Sequence, residues 1–169
     1  MNEKLINFRV YNANQEVLGL ADVELPTLEA LSETVSGAGI AGELNSPTLG
    51  HYGPMSLKLK WRTIETDLTT LAEPKAHALE LRGSIQVFDS ALGEYGTQAV
   101  KIVVCAIPKT VNLGTFAPAK PTDSEAEFEV VYIKVFIAGR VKIEIDKLNF
   151  IARFGGVDKL DQVRADLGG

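Results

Sequence analysis

The chain has 169 residues, 46% of them hydrophobic and 23% charged, ordinary proportions for one globular domain with a sizeable core. Seventeen Lys and Arg against 22 Asp and Glu leave a net charge of −5, which argues against a nucleic-acid-binding surface, since phosphate recognition calls for a basic stripe. The single cysteine, Cys105, excludes an intrachain disulfide. The opening Met1-Asn2-Glu3-Lys4 does not read as a signal peptide, and no apolar run approaches a membrane span. A soluble product without a membrane anchor, folding in a reducing cytoplasm, is expected.

Period-two alternation dominates the chain, and it places side chains on opposite faces of a strand. Leu5 to Tyr11 reads as a strand ending at the turn-formers Asn12-Ala13-Asn14. A second strand, Glu16 to Leu25, stops at Pro26, which cannot donate to a ladder. Thr27 to Val35 is ambiguous. Leu28, Leu31 and Val35 fit one helical face, whereas Glu29, Leu31, Glu33 and Val35 fit one strand face.

From Ser36 to Pro54 the chain is glycine-rich and reads as a long loop with little regular structure, of the kind that orders against a partner. Met55 to Ile64 is a regular strand with Leu57, Leu59 and Trp61 on one face and Lys58, Lys60 and Arg62 on the other. Cross-strand carboxylates should balance those cations, with Glu29 and Glu33 as candidates. A short helix over Thr66 to Glu73 is expected, N-capped by Thr66 or Asp67 and followed by Pro74.

Ala78 to Asp89 and Thr97 to Ala106 form the next strand pair, joined by Ser90 to Gly96. Ile107 to Asp123, with Pro108, Gly114, Pro118 and Pro121, reads as an irregular crossing. Glu127 to Ile137 and Val141 to Asp146 alternate cleanly about a Gly139-Arg140 turn. An amphipathic helix near Val157 to Leu167, with Leu160, Val163 and Leu167 on one side, closes the chain. The fold class is therefore mostly β, a β-barrel or two-sheet sandwich with one or two flanking helices, in a single domain spanning residues 1–169.

Chemical motifs are sparse. His51 and His77 stand in no ligand pair and read as surface or loop histidines. Gly37-Ala38-Gly39-Ile40-Ala41-Gly42 matches G-x-G-x-x-G, yet no convincing helix follows to hold a pyrophosphate. Cys105, in an apolar run, reads as a small sheet residue, with no basic neighbour to lower its pKa. Pairs such as Glu29 and Glu33, or Asp158 and Asp161, carry no pocket-forming neighbours and read as solvated charge. No catalytic residue, cofactor or metal is expected, and the chain reads as structural, not as an enzyme.

The C-terminal third carries a pattern of another kind. Ile145-Asp146-Lys147-Leu148-Asn149 gives I-D-x-x-N, Gly156-Val157-Asp158-Lys159-Leu160 gives G-x-D-x-L, and Arg164-Ala165-Asp166-Leu167-Gly168 gives R-x-x-L-G. Leu25-Pro26-Thr27-Leu28 upstream gives L-P-x-L, with the glycine-rich segment after it. Together they resemble the major tail tube proteins of contractile-tailed phages and phage-tail-like particles, over nearly the whole chain.

The resemblance implies copies that form hexameric rings stacked into an inner tube, a conduit for DNA ejection or a membrane-piercing needle. It implies a place in the virion tail, with assembly in the host cytoplasm. The implied partners are further copies of the chain, a tail sheath protein outside, a baseplate or tube initiator, a tape measure protein in the lumen, and DNA passing without sequence-specific contact. It also implies that Thr27 to Val35 is a strand. On this reading Glu29 and Glu33 are the candidates to face an acidic lumen that repels phosphate, and Gly37, Gly39, Gly42, Gly50 and Gly53 belong to a loop reaching the neighbouring ring. Two alternatives stand beside it: the tube component of a type VI secretion or related contractile injection system, and a monomeric β-barrel module binding a small ligand.

Overall fold

A computed structural model describes all residues, 1–169. Twelve strands and two short helices follow in order: β1 Asn2–Asn12, β2 Gln15–Glu16, β3 Leu20–Glu24, β4 Ala30–Ser36, β5 Glu43–Tyr52, β6 Ser56–Trp61, α1 Thr66–Leu71, β7 His77–Asp89, β8 Glu94–Asn112, β9 Ser124–Ile137, β10 Arg140–Asp146, β11 Ile151–Phe154, β12 Val157–Asp158 and α2 Asp161–Asp166. Ten strands join one antiparallel sheet along the path β12-β11-β10-β9-β8-β7-β1-β2, with β3 and β6 branching from β9. The branch exists because β9 is long. Its first half pairs with β6, Ser124 opposite Trp61, and its second half with β10, Ile137 opposite Arg140. The sheet thus folds over itself into a sandwich-like body and does not close into a barrel.

Alternation in each strand decides what lies inside. Leu57, Leu59 and Trp61 of β6, Ala126, Phe128 and Val130 of β9, Val104 and Ala106 of β8, Leu79 of β7 and Val10 of β1 are all buried. Leu68 and Leu71 of α1 close the same core. The opposite faces carry charge. Across the β3–β6–β9 layer, Lys60 donates to Glu24 at 2.9 Å, and Lys58 lies 3.9 Å from both Glu24 and Glu125. Glu24 and Glu125, rather than Glu29 and Glu33, are the partners of these lysines, because β3 and β9 flank β6 while Glu29 and Glu33 belong to a separate part of the fold.

Two tight connections use left-handed backbone. Ala13 and Asn14 have φ of 49° and 67°, and Ala138 and Gly139 have φ of 51° and 78°, the geometry of hairpin turns whose twist matches the strands. The second turn lies one residue earlier than its sequence suggests. α1 takes Glu65, not Thr66 or Asp67, as its N-cap. Asp67 instead accepts from the N–H of Leu18, in the connection between β2 and β3, at 2.9 Å.

Several expectations change in the structure. β8 runs on to Asn112 because β9 continues beside it, so the irregular crossing shrinks to residues 113–123. His77 is buried and reaches the Glu73 carbonyl at 3.0 Å, so it is not a surface histidine. The C-terminal helix is only Asp161–Asp166; Leu160 is buried ahead of it, while Leu167 is exposed. β11 and β12 precede it as a small hairpin, Arg153 opposite Asp158.

Candidate assembly surfaces

The segment expected to be an irregular loop is instead half of a second sheet. β4 and β5 pair only with each other, with Val35 opposite Leu44, Thr34 opposite Asn45 and Glu33 opposite Ser46. Pro47 and Gly50 inside β5 hide the strand from sequence reading. A two-stranded element has only edges, so Pro47 is tolerated there. Thr27 to Val35, ambiguous in sequence, is a strand from Ala30 onward.

The hairpin is amphipathic, with neither face fully covered. Leu31, Glu33, Val35 and Leu44 share one side, and Leu31, Val35 and Leu44 remain 50%, 39% and 51% exposed. Ser32, Thr34 and Asn45 line the other, where Thr34 Oγ1 donates to Asn45 Oδ1 at 3.0 Å. Gly37, Gly39 and Gly42 form the tip with positive φ and nothing within reach of an added Cβ. Gly50 and Gly53 sit elsewhere, at the root.

The root is clamped to the C-terminal elements. Gly50 has φ +66° and lies so close to Leu160 that a Cβ would stand 2.5 Å from its Cγ. His51 meets Phe150 edge-on at 5.3 Å, and Lys147 Nζ donates to the Gly53 carbonyl at 2.7 Å. Gly53 N–H in turn donates to the Glu29 carbonyl at 2.8 Å. The three C-terminal sequence patterns now have physical roles. Asp146 Oδ1 accepts from Leu148 and Asn149 N–H at 3.1 Å each, which folds the loop that presents Phe150. Asp158 Oδ1 accepts from Leu160 N–H at 3.0 Å, and Arg164 bridges Asp158 (2.6 Å) to the Phe150 carbonyl (2.8 Å). The Arg164 guanidinium holds the Asp158 carboxyl below its usual range. Sequence reading recognised the pattern without its purpose, which is to seat Leu160 and Phe150 under the hairpin root.

Beside this clamp, Glu144 ties β10 to its neighbours. It accepts from Tyr132 Oη at 2.7 Å and from Arg153, and Lys134 lies 3.6 Å away. The Tyr132 hydroxyl, with the Arg153 guanidinium, holds the Glu144 carboxyl below its usual value against the opposing effect of burial. Burial and the same carboxylate push the Tyr132 hydroxyl upward.

At the other flank of the large sheet the core is left open. The inward faces of β1, β7 and β8 continue past the shelter of β3, through Leu5, Phe8, Ile85 and Val100, and bound a groove of about 500 Å³. Leu5 and Leu25 on its walls are 52% and 54% exposed.

An open core and an unsupported amphipathic hairpin in one chain are features of a subunit. A family model described as phage tail tube protein FII matches residues 2–168. The chain belongs to that family. It is a tail tube protein, a structural component of the virion. It is 27% identical over 175 residues to the tail tube protein of Escherichia phage P2, covering 99% of this chain and 98% of the relative. In fold, this tail tube chain is similar to a chain of the cryo-EM structure of an extracellular contractile injection system, the PVC sheath/tube terminator in its extended state. The TM-score there is 0.51 at 12% identity, over 78% of this chain and 93% of the other.

Glu29 and Glu33 do not lie on the large sheet of this tail tube chain. Both are exposed, Glu29 just before β4 and Glu33 within it. Cys105 lies half-buried on β8, opposite Ala78 and Tyr132.

Proposed function

We infer that copies of this chain close into six-fold rings and that the rings stack into the inner tube of a contractile tail. The tube is the passage for DNA, a sheath surrounds it, and a tape measure protein occupies the lumen until ejection. The baseplate nucleates the first ring. The observation that supports this reading most is the β4–β5 hairpin, whose apolar Leu31, Val35 and Leu44 are only partly covered by their own chain. A contact between unlike patches of identical copies repeats, and it builds a ring or a stack according to its rotation.

The glycines at the hairpin tip, Gly37, Gly39 and Gly42, suit a segment that settles only when the neighbouring copy arrives. Glu29, at the root and exposed, is the lumen candidate on this reading. Glu33 shares its face with Val35 and Leu44 and is better suited to a subunit contact. Relatedness to the P2 protein along the whole chain favours a phage tail over a secretion machine.

Light scattering across a concentration series, followed by negative-stain microscopy, tests the assembly. Hollow rings or tubes are expected. A species that stays at 18.3 kDa at every concentration, with or without baseplate, would overturn the reading.

A further inference from the structure

The groove and the seat of the hairpin root lie on different strands of the large sheet. The hairpin root is fixed at β10 and β11, through Leu160, Phe150 and Lys147. The groove lies at β8, β7 and β1. On the strand path β11-β10-β9-β8-β7-β1, β9 separates them. The two patches are therefore distinct surfaces of one chain, and a contact between them on two copies can repeat.

We propose that the groove is the seat of the β4–β5 hairpin of a second copy, whose apolar side completes the layer that β3 and β6 leave unfinished. This rests on the ring-and-stack reading and names the surface that receives the hairpin.

Three observations converge on that occupant. The groove is a continuation of a sandwich interior, walled by Leu5, Phe8, Ile85 and Val100, so what fills it must be apolar and sheet-like to stack on a sheet face. The hairpin offers that: a cross-strand Val35–Leu44 pair with Leu31 beside it, and a polar reverse side left for solvent or another neighbour. The groove lining carries Glu3 and Asp22 beside Lys4 and Arg82, so charge bears on one local pair and not on the whole face. Residues 26–54, which contain the hairpin, hold three carboxylates, Glu29, Glu33 and Glu43, and no Lys or Arg. Lys4 on the groove wall is exposed and has no carboxylate within ion-pairing distance of its own chain. Glu33, on the apolar side of the hairpin, meets it across the contact. Such a rim pair mainly selects orientation, while buried apolar area supplies the affinity.

The arrangement also resolves the opposite character of the two patches. Each alone is an aggregation liability. Matched to one another on successive copies, both are covered.

Disulfide trapping tests the proposal. In a Cys105→Ser background, one chain carries Leu5→Cys or Ile85→Cys and a second carries Val35→Cys or Leu44→Cys, and the two are assembled together. Oxidised tubes should yield a heterodimer band on a non-reducing gel, absent from dilute unassembled mixtures and from a Leu92→Cys control in place of the groove cysteine. Tubes that form normally yet give no groove–hairpin band would overturn the proposal while leaving the tube reading intact. If wild-type chains form no tube, the tube reading fails and this proposal fails with it.

A second variant covers the case in which the cysteines block assembly. Val35→Ser with Leu44→Ser alters only exposed positions, so the unassembled chain should melt as wild type does. Its assembly threshold should rise roughly tenfold or more. An unchanged threshold would contradict the proposal.

Discussion

Replacing Gly50 with alanine is the sharpest test of how the hairpin is aimed. An L-residue at φ +66° costs about 1–2 kcal/mol. The new Cβ, 2.5 Å from Leu160 Cγ and Cδ2, adds an overpacking penalty of about 1–3 kcal/mol. The sum is about 2–5 kcal/mol, a large share of the ~5–15 kcal/mol that holds a typical domain together. For a chain of this length it lowers Tm by roughly 4–20 °C.

The two contributions separate in a cycle with Leu160→Ala, which removes the clashing methyls. In that background Gly50→Ala should cost only the backbone part, about 1–2 kcal/mol, so the coupling between the sites is about 1–3 kcal/mol. Leu160→Ala alone empties a buried position and should cost about 2–5 kcal/mol. Urea denaturation of the unassembled chain measures all four corners. A Gly50→Ala penalty under about 0.5 kcal/mol, or one equal in both backgrounds, would refute the clamp.

Three further outcomes follow from named contacts. Glu144→Gln should destabilise by about 1–3 kcal/mol at neutral pH, since Tyr132, Arg153 and Lys134 lose an ionised partner. Because the folded carboxyl titrates below its ordinary 4.5, its contribution is complete above that value and fades as pH falls through the depressed one. Wild type and variant should therefore converge in denaturation curves taken at progressively lower acidic pH. Trp61→Ala should cost about 3–5 kcal/mol, whereas Trp61→Phe costs much less, because it also removes an indole N–H that is buried without an acceptor; calorimetry distinguishes them. Glu33→Lys should impair tube assembly by placing like charge against Lys4, while Glu29→Lys leaves assembly intact and slows DNA ejection in a fluorescence release assay. Equal effects of the two substitutions would contradict the separate roles assigned to them.

The body of the fold was legible because burial and alternation coincide. Leu57, Leu59 and Trp61 on one face of β6 and Lys58 and Lys60 on the other leave a single consistent register. The hairpin was not legible from pattern. Most of β4 and β5 is exposed within one chain, so burial enforces only a weak alternation there, and Pro47 and Gly50 mimic a loop. β11 and β12 were missed because they are four and two residues long, too short for any period to register. His77 was misplaced because its burial depends on the Glu73 carbonyl, a contact made by the turn after α1. Family resemblance reached further than periodicity. It placed a strand at Thr27 to Val35 and flagged Asp146, Asp158 and Arg164, whose hydrogen bonds explain why those residue types stand at that spacing. It put Glu33 beside Glu29 as a lumen candidate; both are exposed, and the strand register sets Glu33 on the same side of the hairpin as Val35 and Leu44.

A cryo-EM reconstruction of the assembled tube examines the whole account at once. Density for Val35 and Leu44 of one copy should lie over Leu5 and Ile85 of another, leaving neither patch in contact with water. Hairpins folded back on their own chains, or grooves that stay open to solvent throughout the assembly, would show that the unfinished layer is completed some other way.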